Sequence, residues 1–166
     1  SYNIVYGDGY DTIYYLSNGR IPIRDAGYNW KGTLPGNTSK TLWTKFHHVE
    51  DLPQVLTPTS GFVFNTNHSP FKATVHGNFS ATYDSTMGYE THDNNRSLRV
   101  MELMQQCETI TYEDLKRIKY DVQLPGTLAY PVNIDTLFML DAKDHPDLAD
   151  VIDILDAWDR NGTSDS

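Results

Sequence analysis

Residues 3–16 read NIVYGDGYDTIYYL, and this stretch decides the fold at the beginning of the chain. Two runs rich in β-branched and aromatic residues, 3–6 and 12–16, flank the turn signal GDG at residues 7–9. Such a pattern is typical of a β-hairpin, in which a glycine-containing turn joins two antiparallel strands. A further apolar run, residues 61–65, predicts a third strand that is buried on both faces.

The hydrophobic spacing changes to a helical period at residue 95. A first helix is predicted there, and either Asp93 or Asn94 can cap it. Thr111 and Asp114 have the spacing of a capping box, which predicts the start of a second helix that ends at residues 125–126. The predicted apolar stripes of these two helices are Val100, Leu103, Met104 and Cys107 in the first, and Leu115, Ile118 and Val122 in the second.

Two more helical segments are predicted towards the end of the chain. Residues 132–140 fit a short helix, and Pro146 occupies a typical first helical position. The stripe of the helix that Pro146 begins consists of Leu148, Val151, Ile152 and Leu155.

The composition divides the chain in the same way. Nine of the 11 glycines lie at or before Gly88, so turns are concentrated in the first part. We therefore predict an α+β chain with a strand and long-loop region at 1–94, a helical region at 95–160 and a polar tail at 161–166.

The charge balance excludes two classes of partner. Thirteen Lys and Arg residues stand against 22 Asp and Glu residues, which gives a net charge of −9. Binding to nucleic acid or to an anionic membrane surface requires clustered cations, so we expect neither partner. No apolar run approaches the roughly 20 residues of a membrane-spanning helix.

The stretch GFVFNTNHSP at residues 61–70 carries the candidate chemistry. If residues 61–65 form a strand, alternation sends the side chains of Asn65 and Asn67 to the same side. A carboxamide held at the end of a buried strand is a fixed, uncharged N–H donor, which is what an oxyanion requires. The alternative is that a turn asparagine simply ends the strand.

Several stretches, taken in order, carry a family resemblance. They are the hairpin at 3–16, GRIPIR at 19–24, NTNHSP at 65–70, NRSLRV at 95–100 and LDAWD at 155–159. Together they resemble the β chain of the penicillin acylase family of N-terminal nucleophile hydrolases, across roughly residues 3–166. The resemblance implies antiparallel strands of an αββα core followed by helices, within one larger acylase domain.

The resemblance also implies a mechanism. An N-terminal Ser, Cys or Thr attacks an acyl amide, such as a β-lactam or an acyl-homoserine lactone, and its own α-amine acts as the base. Asn67 corresponds to the side-chain donor of the oxyanion hole, and Arg96 to the arginine beside the nucleophile's amine. An alternative for Arg96 is a salt bridge at the helix start. His68 stands where the family motif has a second asparagine, which leaves Asn67 in place.

The nucleophile is expected outside this chain. Ser1 lies only 66 positions before Asn67, so we interpret it as the start of an internal piece rather than as a processed nucleophile. The implied partners are the remaining α- and β-chain segments and a small acyl-amide substrate, and the isolated piece should be inactive. No cofactor is implied beyond calcium, which some members bind. Asp84 lies near the matching carboxylate position. Location in the periplasm or outside the cell is a family expectation.

Two alternatives to catalysis stay open. The chain could be a non-catalytic module that uses its aromatic loops, including Trp30 and Trp43, to bind a glycan or a peptide. It could also be a structural domain that keeps the acylase scaffold without its chemistry.

Overall fold

The computed structural model describes residues 2–75, 82–129 and 134–163, with the backbone alone at residues 134 and 135. Ser1 and the end of the polar tail, residues 164–166, therefore lie outside the described residues. The chain divides into two compact units, Ser1–His92 and Asp93–Ser166. The predicted α+β class is confirmed by strands β1 (Tyr2–Gly7), β2 (Ile13–Asn18) and β3 (Gln54–Leu56) and by α-helices α1 (Asn95–Gln105), α2 (Tyr112–Lys119) and α3 (Ala149–Ala157).

The predicted hairpin is confirmed. β1 and β2 pair antiparallel, with Tyr2 opposite Asn18 and Gly7 opposite Ile13. Asp8 closes the turn, because its Oδ1 accepts the backbone N–H groups of Tyr10 at 2.8 Å and Thr12 at 3.0 Å. These hydrogen bonds stabilise the carboxylate and hold the pKa of Asp8 below its ordinary value.

The third strand lies earlier in the chain than predicted. β3 pairs antiparallel with β2, with Val55 opposite Tyr15, so β2 becomes the central strand. The prediction of a strand at residues 61–65 is wrong. That segment is irregular, and it is held by a hydrogen bond from Phe64 N to Ala73 O at 2.9 Å. Its apolar content reflects burial rather than pairing in the sheet, because Phe64 is buried and Val63 packs against the core.

The core of the first unit forms around the central strand. Tyr15 and Ala73 are fully buried, and Val55 and the partly buried Val63 pack with them. Ala73 belongs to the segment that follows the candidate loop at 65–70, so this packing connects the loop to the sheet.

Two caps define the first two helices of the second unit. Asn94 caps α1, with its side chain accepting Ser97 N at 2.9 Å, and Ser97 Oγ accepts Asn94 N at 3.0 Å in return. Thr111 and Asp114 form the predicted capping box of α2. Hydrogen bonds from Thr111 lower the pKa of Asp114.

The predicted end of the second helix is wrong. α2 ends at Lys119, and of its predicted stripe Ile118 is buried whereas Leu115 and Val122 are 53% and 51% exposed. The chain leaves the helix because residues 122–124 pair with residues 160–162 instead. Leu124 N donates to Arg160 O and Gly162 N donates to Val122 O, each at 2.9 Å.

Both of the last predicted helical segments contain 3-10 structure. A 3-10 helix covers Ile134–Met139, whereas residues 132 and 133 of the predicted helix lie outside the described residues. Pro146 begins a 3-10 turn, Pro146–Leu148, that leads into α3. Of the predicted α3 stripe, Ile152 is buried, whereas Leu148 and Val151 are exposed. Within the described residues, the helices are all too short and too polar to cross a bilayer.

Arg99 ties α1 to the segment after α2. Its Nε donates to Asp121 Oδ2 at 2.7 Å and its Nη2 donates to Asp121 Oδ1 at 3.1 Å, a bidentate pair. Nη1 also donates to Glu102 Oε2 at 3.2 Å. The hydrogen bond from Arg99 is the main reason that the pKa of Asp121 is lowered.

We predict that Asp121→Asn lowers the free energy of unfolding by about 1–2 kcal/mol at pH 7, as expected for a charged hydrogen-bonded pair that is partly buried. Because the folded-state pKa of Asp121 is depressed, its contribution is present above the ordinary carboxyl pKa of about 4 and is lost as pH falls through the folded value. Urea unfolding at several pH values should show the two proteins converging in stability as the pH falls below the lowered pKa of Asp121.

Glu113→Gln is the matched control, because Glu113 pairs with Lys116 on an exposed surface. It should cost less than about 0.5 kcal/mol at pH 7. A loss for Asp121→Asn no larger than that of the control would show that the Arg99–Asp121 pair does not stabilise the second unit.

We also predict that Asn94→Ala destabilises the chain by about 1 kcal/mol, because the first turn of α1 loses its side-chain acceptor. Asn94→Asp keeps the acceptor and should stay close to the wild type. Thermal unfolding followed by circular dichroism measures both. Equal stabilities for the alanine and aspartate variants would contradict the role given to the cap.

Candidate active site

The two asparagines of the NTNHSP segment have different roles. Asn65 Oδ1 accepts the backbone N–H of Asn67 at 3.0 Å and Asn3 Nδ2 at 3.0 Å. Asn65 therefore forms an Asx turn, in which its side chain accepts a backbone N–H two residues later, as asparagine commonly does. Asn67 lies at the tip of this turn, is exposed, and has a positive φ of 60°. Asparagine tolerates this left-handed conformation better than most residues.

The strand alternation used to place these side chains is wrong, because residues 61–65 are not a strand. A turn, rather than a pleat, presents Asn67. The alternative interpretation, in which an asparagine ends the segment by forming a turn, applies to Asn65. Asn67 lies at the exposed tip of that turn.

The base of the same loop is buried. His68, Ser69 and Pro70 are all buried directly behind the exposed Asn67. Ser69 Oγ donates to Glu90 O at 2.6 Å and accepts Phe71 N at 3.3 Å, which caps the short 3-10 turn that follows. The loop therefore has a fixed base and an exposed tip, a geometry suited to presenting one side chain.

Arg96 lies in the first turn of α1, in the second unit, and is exposed. The turn is fixed on both sides, by the Asn94 cap and by Asn95 Oδ1, which accepts Ala129 N at 2.6 Å. Among the described residues Arg96 has no ion-pair partner, whereas Arg99 one turn later is fully engaged. The alternative of a structural salt bridge at the helix start is thus found at Arg99 and not at Arg96.

Asp84 has a local structural role. It caps the 3-10 turn Ser85–Met87, with Oδ1 accepting Thr86 N at 2.8 Å, and this hydrogen bond lowers the pKa of Asp84. It also lines an open cleft of about 320 Å³ with Phe71, Tyr83 and Tyr89. The described residues contain no group of three or more His, Cys, Asp or Glu side chains that could hold a metal ion, so calcium binding at Asp84 stays a prediction.

Arg24 is a supporting residue to which the sequence analysis gave no role. Its Nη1 donates to Thr86 O at 2.9 Å and to Met87 O at 3.1 Å, and its guanidinium lies over the rings of Trp30 and Trp43. Gly88 permits this approach, because it has a φ of 78° and a Cβ there would lie 2.6 Å from Nη1. The GRIPIR stretch was the available signal, since it contains Arg24.

Comparison with known proteins adds two findings. The family model described as penicillin amidase matches residues 1–166. Penicillin G acylase from Escherichia coli is 36% identical over 70 residues, which cover 42% of this chain and 8% of that protein. The matched region is thus a small part of a much longer relative.

The family match extends over every element described above, from the β1–β2 hairpin through the Asn67 loop to α3. The resemblance to acylases inferred from the sequence is therefore confirmed, and with it the assignment to acyl-amide hydrolases at the level of the family. The chain belongs to the penicillin amidase family.

Proposed function

We propose that this chain is an internal part of the β chain of an acylase and that it supplies the groups that support catalysis. In the reaction, an N-terminal nucleophile located elsewhere in the protein attacks the carbonyl carbon of an acyl amide, and its α-amine accepts the proton. The α-ammonium returns this proton to the substrate nitrogen, which leaves as the free amine, and water then hydrolyses the acyl-enzyme to the acid and the free nucleophile.

The proposed role of Asn67 rests on the loop geometry, which is the observation that carries the proposal. Asn65 holds the backbone of Asn67, and the buried residues from 68 to 70 fix the loop behind it. With the backbone on both sides of it held in this way, the Asn67 carboxamide can donate an N–H to the oxygen on which negative charge develops, and the loop need not reorganise during the reaction.

The proposed role of Arg96 rests on its charge and its fixed backbone. A guanidinium near the α-amine disfavours protonation of that amine, because two like charges repel. The amine then stays neutral, and able to accept a proton, at lower pH.

The proposed substrates are small acyl amides, with a β-lactam or an acyl-homoserine lactone as the leading classes. Calcium at Asp84 and a location in the periplasm or outside the cell remain predictions. A binding module built on the tryptophans has less support, because both indoles face Arg24 and Trp30 Nε1 donates to Asp25 O at 2.7 Å.

We predict that Asn67→Ala in the full-length protein lowers kcat about 100- to 1,000-fold, the usual effect of removing an oxyanion-hole donor. The measurement is hydrolysis of a panel of p-nitroanilides of acetic, hexanoic and phenylacetic acid. Asn37→Ala, which changes another exposed asparagine of the first unit, is the control and should retain the wild-type rate. Unchanged turnover in Asn67→Ala would favour a scaffold without the chemistry proposed for this residue.

For Arg96 the informative measurement is the pH dependence of kcat/KM. Arg96→Ala should move the acidic limb to higher pH by about one unit, because the amine protonates more readily once the neighbouring cation is gone. Arg96→Lys should keep the limb in place. Arg117→Ala removes the same charge from another exposed position, and a shift as large as that of Arg96→Ala would show that the effect is not local.

A further inference from the structure

Both ring nitrogens of the buried His68 are engaged by backbone groups. Nδ1 lies 3.2 Å from Thr66 N, and Nε2 lies 3.0 Å from Lys72 O. A backbone N–H can only donate and a carbonyl oxygen can only accept, so Nδ1 must carry the lone pair and Nε2 the proton. The hydroxyl of Thr66 lies 3.0 Å from Nδ1 on the same side. The neutral ring in this one tautomer is the form that fits.

The ring joins the two ends of the candidate loop. Thr66 immediately precedes Asn67 and His68 immediately follows it, while Lys72 belongs to the 3-10 turn beyond. The ring is also stacked on Phe64, with 4.7 Å between centroids and 22° between planes. The backbone is thus fixed on both sides of Asn67 by one imidazole.

We propose that His68 is a positioning residue for the reaction: by accepting from Thr66 N–H, its Nδ1 fixes the backbone that aims the Asn67 carboxamide at the oxyanion. This inference rests on the proposed function of Asn67. It assigns a role to the one residue of this loop that departs from the family motif: this chain has histidine where the motif has asparagine.

Replacing His68 by asparagine or by glutamine tests the two hydrogen bonds of the ring one at a time. In His68→Asn the shorter side chain places Oδ1 near the position of Nδ1, so the acceptor for Thr66 N–H is kept. In His68→Gln the amide nitrogen reaches the position of Nε2, so the bond to Lys72 O is kept and the acceptor is lost. His68→Leu removes both bonds at similar volume.

The test measures kcat and KM in the full-length enzyme with the p-nitroanilide panel. We expect His68→Leu and His68→Gln to lower kcat about 10- to 100-fold, because a small displacement of a catalytic donor has an effect of this size. KM should change less than about threefold, and His68→Asn should retain kcat within about threefold. Ile152→Ala, which truncates a buried side chain of the second unit, controls for general destabilisation.

The decisive comparison combines the His68 variants with Asn67→Ala. If His68 acts through Asn67, then His68→Leu lowers kcat in the wild-type background but not in the Asn67→Ala background. Equal losses in both backgrounds, or no loss in either, would overturn the positioning role while the role of Asn67 stands. An unchanged kcat in Asn67→Ala alone would overturn both proposals. If His68→Leu does not fold, the contrast between His68→Gln and His68→Asn decides.

Discussion

Buried backbone groups must find hydrogen-bond partners, and this requirement shapes the segment that carries the candidate site. Phe64 and residues 68–71 are buried, and β3 already occupies the second edge of β2. The segment therefore satisfies its backbone locally, through Phe64 N to Ala73 O and through the ring of His68. These contacts fix the backbone on both sides of the exposed Asn67.

The sequence predicts well those features that depend on neighbours in the chain. The turn at Asp8 and the caps at Asn94 and Thr111 follow from residues within four positions of each other, and all three are present. The strand at 61–65 and the length of α2 were mispredicted because distant segments compete for the same backbone groups. Residues 160–162 end α2 early, and periodicity within the helix holds no information about them.

The candidate site residues were predicted from their match to family motifs and not from the predicted secondary structure. Asn67 and Arg96 came from the resemblance, and the reasoning from strand alternation placed Asn67 for the wrong physical reason. His68 and Arg24 were missed as supporting residues, since their partners are backbone carbonyls and amides that leave no mark in the side-chain pattern. The two arginines of residues 95–100 show the same limit, because only the structure separates the paired Arg99 from the exposed Arg96.

The contact between Arg24 and Gly88 also limits which substitutions this chain can accept. Any larger residue at position 88 meets the guanidinium and adopts an unfavourable φ, and moving the guanidinium sacrifices its bonds to two carbonyls and its contacts with two indoles. The clash with the guanidinium is absent if Arg24 has already been replaced by a smaller residue, whereas the unfavourable φ at position 88 remains. Substitutions at the two positions are therefore coupled, since a larger residue at position 88 costs less once Arg24 has been replaced.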